Sequence, residues 1–192
     1  MTIQLIVGLG NPGQSYSADR HNAGQWFVEL LCHQMKTSFT PHAKLNAQIA
    51  QGSIDQNALR LAVPMTYMNE SGIAVKAVSQ YYKIAPEDIL VVHDELDLPP
   101  GIARLKKEGG HGGHNGLRSL IQHLGSNQFW RLRLGIGHPG HKDDVSDYVL
   151  KKPSLHEQTQ IEAAILESAR ALPLLLQGQA EKAQTQLHSQ LK

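Results

Sequence analysis

Ile3-Gln4-Leu5-Ile6-Val7-Gly8-Leu9-Gly10-Asn11-Pro12-Gly13 is the stretch on which the reading of this chain turns. A short apolar run of strand type breaks into a glycine-rich loop, and Arg20-His21-Asn22 follows where a helical pattern begins. A buried strand that opens this way delivers the next residues to the end of a sheet, where α/β proteins keep their ligands. Here it delivers an amide, Asn11, and an imidazole, His21. The Gly8-x-Gly10-x-x-Gly13 spacing matches a dinucleotide fingerprint. That fingerprint needs a helix starting inside the motif, so that its amides cradle a pyrophosphate. Pro12 and the polar run Gln14-Ser15-Tyr16-Ser17 carry no helical period. Glu29, near the position of the expected ribose-binding acid, falls on a helix face beside Trp26, Phe27, Leu30 and Leu31. The glycines read better as turn formers.

Outward from the loop, residues 22–36 are amphipathic and helical. Residues 47–54 and 58–63 flank Asp55-Gln56-Asn57 and read as a β-hairpin. Residues 64–69 form an irregular connection, with Asn69 placed to cap a helix over 70–82 that turns Ile73, Ala77, Val78 and Tyr81 to one side. Asp88-Ile89-Leu90-Val91-Val92 is the most apolar strand, of the kind buried on both faces, and it ends in His93-Asp94-Glu95. Residues 102–107 alternate apolar with basic, setting Arg104 and Lys106 on one face. Gly109-Gly110-His111-Gly112-Gly113-His114-Asn115-Gly116 then feeds a helix over 117–124, with Asn115 as its expected cap. Glycine amides ahead of a helix are a natural anion or oxyanion cradle. Residues 131–137 form a second basic, alternating strand, and 138–142 a surface loop. Ser154-x-x-Glu157 is a capping box that opens a long helix, which Pro173 is expected to kink or interrupt. A tail helix over 179–192 carries Ala180, Ala183, Leu187 and Leu191 on one stripe. Strands and helices interleave without a linker or repeat. The expectation is one α/β domain over 1–192, a twisted mixed sheet sandwiched between helices.

Composition narrows the function. With 192 residues the chain can bury a full core, and a formal net charge of +1 sets up no global field for nucleic acid, so a basic footprint must be local. One cysteine, Cys32, excludes an internal disulfide and suits a reducing compartment. No signal-type or membrane-length apolar run is present, and a cytoplasmic location is expected. There is no G-x-S-x-G elbow, and Cys32 falls inside a helical pattern, which leaves no nucleophile of the usual kind. Eleven histidines raise the question of metal, and His111-x-x-His114 with Asp94 is the best candidate set. Histidines among glycines serve as readily as hydrogen-bond donors, and no metal-binding motif is present. What remains is a set of polar groups at the mouths of elements: Asn11, His21, Asn69, Asp94 and Asn115. A carboxylate paired to His21 would fix its tautomer and raise its basicity. Carboxamides can hold an amide-containing substrate by donor and acceptor alike.

Six motifs in order and in spacing resemble the bacterial-type peptidyl-tRNA hydrolase family. They are Val7–Gly13, Arg20–Gly24, Pro64-Met65-Thr66-Tyr67-Met68-Asn69-x-Ser71-Gly72, His93–Asp97, Gly109–Gly116 and Arg131–Gly140. The resemblance runs from Ile3 to about Pro153, and the C-terminal helices match only in pattern. It implies hydrolysis of the ester between a peptide and the 3′-terminal adenosine of tRNA by a metal-free, cofactor-free, monomeric cytoplasmic enzyme. By that analogy His21 is the base that activates water, Asp94 orients it, and Asn11 reads the peptide. Asn69 and Asn115 contact substrate and tRNA end, Tyr67 and Met68 line the cleft with the loop of Gly112, Gly113 and His114, and Tyr16 touches tRNA. Arg104 and Lys106 stand where the family has two phosphate-clamping lysines, with Arg133 a further phosphate contact. An arginine fork is not a lysine point charge. A non-catalytic RNA-binding module and a metal-dependent hydrolase are the rival readings.

Overall fold

β1 (Leu5–Gly8) lies at the centre of a seven-stranded sheet, parallel to β4 (Asn57–Pro64) on one side and β5 (Ile89–Glu95) on the other. The computed structural model describes residues 2–189. The remaining strands are β2 (Thr40–His42), β3 (Ala47–Ile54), β6 (Ala103–Lys107) and β7 (Trp130–Gly135), in the order β2-β3-β4-β1-β5-β7-β6. β2, β3 and β4 pair antiparallel at one edge, and β6 pairs antiparallel with β7 at the other. The sheet is mixed, as the interleaved pattern predicts. The chain leaves β1 toward one edge and later crosses to the other, so the carboxyl ends of β1 and β5 flank a switch point, where open α/β sheets bind ligands.

Two apolar layers cover the sheet. α1 (Ala23–Gln34), α5 (Leu155–Leu176) and α6 (Ala180–His188) contribute to one, with Phe27, Leu31, Leu90, Leu132, Leu134 and Ile161 buried. α2 (Ser71–Tyr82) and α3 (Asn115–Leu124) pack on the other around Leu5, Val7, Ile89, Val91 and Phe129. Strand alternation sorts β1 and β5 between the layers: Leu5, Val7, Ile89 and Val91 go one way, Ile6, Leu90 and Val92 the other. The hairpin turn is made by Asp55 and Gln56, both at positive φ, as a two-residue turn matched to strand twist requires.

One close approach places the site. A Cβ on Gly24, at the start of α1, would stand 2.1 Å from the Val92 carbonyl oxygen, and one on Gly8 2.5 Å from the Gly24 oxygen. The missing side chains let α1 sit directly on β1 and β5, which brings the residues just before α1 over the end of β5.

Several sequence expectations need correction. Asn69 does not cap α2; it lies in a 3-10 turn over Met68–Glu70, and the first-turn Gly72 amide of α2 donates instead to Ser119 Oγ of α3. α2 buries Ala74, Val75 and Val78, leaving Ile73 and Tyr81 at 39% and 66% exposure. The apolar stripe at 73, 77 and 81 is real in sequence but lies one step round from the buried face. α3 is capped not by Asn115 but by His114, whose Nδ1 accepts from the Gly116 and Leu117 amides. β2 and the short helix α4 (Val145–Val149) gave no periodic signal, being only three and five residues long. Pro173 does not interrupt α5, which runs on to Leu176; Leu172, Leu175 and Leu176 are buried there, and packing outweighs one lost backbone bond. The capping box forms as expected. α6 docks along edge strand β6: His188 Nε2 accepts from the Leu105 amide and Gln184 donates to the Leu105 carbonyl. Side chains thus satisfy an edge that would otherwise offer unpaired backbone groups. Leu191 lies outside the described residues.

Candidate active site

Four segments converge at the carboxyl end of β5. The turn Arg20–Asn22 supplies His21, the last turn of β5 supplies Asp94, the loop after β1 supplies Asn11, and the cap of α3 supplies His114. His21 Nδ1 lies 2.9 and 3.0 Å from the two Asp94 carboxylate oxygens, and His114 Nε2 lies 2.8 Å from Oδ1. Asp94 is 3% exposed, so this pairing is hardly screened.

The hydrogen bonds settle the proton positions. His114 Nδ1 accepts two backbone N–H groups, so its proton sits on Nε2 and is donated to Asp94. His21 likewise donates from Nδ1, leaving the Nε2 lone pair for the cleft. Burial pushes the His21 pKa down, but the Asp94 charge and hydrogen bond, with Asp19 adding to them, hold it above the ordinary histidine value. Burial alone would raise the Asp94 carboxyl, yet the two imidazoles hold it far below the usual carboxylate range, so Asp94 stays ionised. His93, pointing to the other face, is driven down to about 3 by burial and by His114; it stays neutral and donates from Nδ1 to the Asp94 carbonyl, 2.7 Å away.

Asn11 is held as firmly. Its Oδ1 accepts from the Met68 amide at 2.7 Å, while its backbone exchanges two bonds with the Asn22 side chain. With Oδ1 occupied by a donor, the amide orientation is unambiguous, and Asn11 offers its NH₂ as a donor. Asn115 Oδ1 is similarly taken by Arg118. Each of these two oxygens already accepts one bond and keeps a second lone pair, while both NH₂ groups remain available as donors; Asn69 makes no side-chain hydrogen bond among the described residues.

A cleft of about 990 Å³ opens over these groups. It takes in Asn11, Tyr16, His21, Tyr67, Met68 and Asn69, then Asp94, Lys106, Gly112, Gly113, His114, Asn115 and Arg133. Arg104 is the one anticipated residue that does not line it; its Nη1 donates to the Ala103 carbonyl. Tyr16 and Tyr67 meet edge to face, centroids 6.2 Å apart, on one rim. Val145, Val149 and Leu150, on and just after α4, line the cleft elsewhere. Sequence reading missed them, and missed Lys142 and Asn22. Asn22 stood within the quoted motif; Lys142 and α4 carried no local signal. Arg131 was legible as the partner of Arg133 on the same strand face, and it pins the glycine loop by donating to the Gly109 and Gly110 carbonyls.

His21, Asp94 and His114 bring their ligand atoms within 4.8 Å of one another, close enough to hold a metal. His111 is not part of that group; its Nδ1 accepts from Gly113. A metal on His114 Nε2 would move the proton to Nδ1, against two backbone N–H donors, and a metal on His21 Nδ1 would place the remaining proton on the nitrogen facing the cleft. The donor set is arranged for protons.

A buried carboxylate that holds an imidazole by one nitrogen and leaves the other open to a polar cleft is an arrangement able to accept a proton from water, here at the carboxyl end of β5 in an α/β sheet. A peptidyl-tRNA hydrolase family profile matches residues 5–192. Peptidyl-tRNA hydrolase of Francisella tularensis subsp. novicida is 51% identical over 187 residues, spanning 97% of this chain and 98% of that one. The Pasteurella multocida enzyme is 50% identical over 188 residues, 97% of each chain. The crystal structure of peptidyl-tRNA hydrolase from Acinetobacter baumannii superposes with a TM-score of 0.94 at 49% identity, over 96% of this chain and 94% of that one. The chain belongs to the peptidyl-tRNA hydrolase family.

Proposed function

We propose that the chain hydrolyses the ester between a peptide and the 3′-terminal ribose of peptidyl-tRNA, using a water activated by His21. One observation carries the mechanism: His21 Nδ1 is 2.9 Å from the buried, ionised Asp94, with the second nitrogen open to the cleft. Nε2 takes a proton from water as the oxygen attacks the ester carbonyl, and Asp94 stabilises the imidazolium that forms. The tetrahedral intermediate collapses by releasing the ribose oxygen, which recovers that proton from His21. The Asn11 NH₂ is the best-fixed donor for the developing oxyanion; such a donor supplies about 2.7–4 kcal/mol.

His114 shares the Asp94 carboxylate with His21. Two donors on one carboxylate spread its charge, so His21 is raised less than it would be by Asp94 alone and stays neutral enough to accept a proton near neutral pH. A module that only bound RNA has no use for a buried imidazole–carboxylate pair. The basic residues lining the cleft suit the tRNA backbone. Among the described residues no helix is long and apolar enough to cross a membrane. We place the enzyme in the cytoplasm as a monomer, and light scattering of the purified chain checks the second point.

The deciding experiment is hydrolysis of an N-acetylaminoacyl-tRNA in the presence of EDTA, wild type beside His21→Ala. Wild type cleaves and the variant does not. Loss of wild-type activity on chelation would point to a metal instead.

A further inference from the structure

Glu95 follows the catalytic aspartate but belongs, by strand alternation, to the opposite face of β5, alongside the arginines of β7. Its Oε2 accepts from Arg133 Nε at 2.9 Å, and its Oε1 accepts from the Asp97 amide at 3.1 Å. The carboxylate is thereby fixed at both oxygens. The side chains of Glu95 and Arg133 are 17% and 25% exposed, so neither partner is a freely solvated surface charge. The two β7 arginines differ in what they have left to offer. Arg131 directs Nη1 and Nη2 to the Gly110 and Gly109 carbonyls and holds the glycine loop. Arg133 is gripped at Nε only, which leaves the Nη1/Nη2 edge as a planar two-donor face in the same cleft as Lys106.

We infer that Glu95 is a positioning residue, which locks the Arg133 guanidinium so that its Nη edge receives one phosphate of the tRNA. The inference rests on the proposed substrate, and it assigns a role to a carboxylate that at first sight opposes phosphate binding. A free arginine loses rotamer freedom when it captures a phosphate; a tethered one has lost it already. The carboxylate fixes the orientation of the guanidinium through Nε, while its charge partly offsets the local field.

The test compares two substrates, N-acetylaminoacyl-tRNA and a phosphate-free N-acetylaminoacyl adenosine ester, across wild type, Glu95→Ala, Glu95→Gln, Arg133→Ala and the Glu95→Ala/Arg133→Ala double variant. Glu95→Ala raises KM for the tRNA substrate about fivefold to tenfold with kcat unchanged, the gain expected from pre-ordering one long side chain. It leaves the adenosine ester untouched. Glu95→Gln keeps an acceptor for Nε and restores KM to within about twofold. In the Arg133→Ala background Glu95→Ala adds nothing further, as a pair acting as one unit requires. A fall in KM for Glu95→Ala overturns the inference, since Glu95 would then only cancel charge. Equal damage on both substrates, or an undiminished effect without Arg133, overturns it too. If the wild type cleaves neither ester, the proposed function itself fails and takes this role with it; cleavage of both with an indifferent Glu95 sinks the inference alone.

Discussion

The sheet has two unlike halves. From β4 through β1 to β5 both faces are apolar, covered by α1 on one side and α2 with α3 on the other. In β7 and β6 one face is apolar, with Leu132, Leu134, Ala103 and Leu105 under α5 and α6, while the other presents Arg131, Arg133, Arg104 and Lys106. Register makes the second face a block: Arg104 stands opposite Arg133 and Lys106 opposite Arg131. Like charges directly opposed destabilise a sheet. The fold tolerates them because Glu95 and the glycine-loop carbonyls each take one guanidinium, and Arg104 bonds its own strand. Over the basic half, the glycine loop that Arg131 pins and the open cleft stand where α2 and α3 cover the other half. The His21–Asp94 pair sits on the boundary, at the end of β5, between the doubly apolar half and the cationic half.

Four experiments press on that division. The largest effect belongs to the boundary: His21→Ala lowers kcat about 10²–10⁴-fold while tRNA affinity persists, and retention of more than about a tenth of the rate removes His21 as the base. Next come two neighbours on β7 that face opposite ways. Leu134→Ala costs about 2–5 kcal/mol of stability in urea unfolding, whereas Arg133→Ala, which leaves Glu95 without its partner, costs about 1 kcal/mol or less and shows itself in KM. If both variants lose stability alike, the halves are not functionally distinct. A third measurement counts the charges: Lys106, Arg133 and Lys142 as three phosphate contacts give a log–log salt slope near −2, roughly a twentyfold loss of tRNA affinity between 50 and 200 mM salt. A flat salt profile would remove the phosphate role of that face.

The smallest effect is a displacement in pH. His21 must be neutral to accept a proton, and its pKa is raised, so kcat/KM is full at alkaline pH and falls as pH drops through a value above the ordinary histidine range. In Asp94→Asn the largest raising influences are gone, Asp19 alone remains to oppose the lowering by burial, and the acid limb moves to lower pH even as the plateau falls. A limb that stays in place in Asp94→Asn would show that another group titrates.

Much of this was legible in the chain. The alternation of Arg131 and Arg133, the doubly apolar run into Asp94, the hairpin at Asp55-Gln56 and the Ser154–Glu157 capping box are patterns among near neighbours, and the structure carries each of them. The caps were not legible in the same way. Ser154 accepts from an amide three residues on, within a motif, whereas the cap of α3 went to His114 because the same ring had also to reach Asp94. The face of α2 was misjudged because Ile73 and Tyr81 are as apolar as Val75 and Val78, and only the neighbouring helix decides which stripe is covered.

By itself, the sequence determined the order of elements, the residue types at their mouths and the motifs that mark the family, because periodicity and turn chemistry act over a few residues. The tertiary structure alone decided that His21 meets Asp94 across 73 positions, that His114 shares the carboxylate, that Asn11 is a donor, that Glu95 grips Arg133 and that Arg104 stays outside the cleft. Those outcomes depend on strand order and on how closely α1 can approach β5 over Gly24. They are distances between parts of the chain that no local pattern specifies.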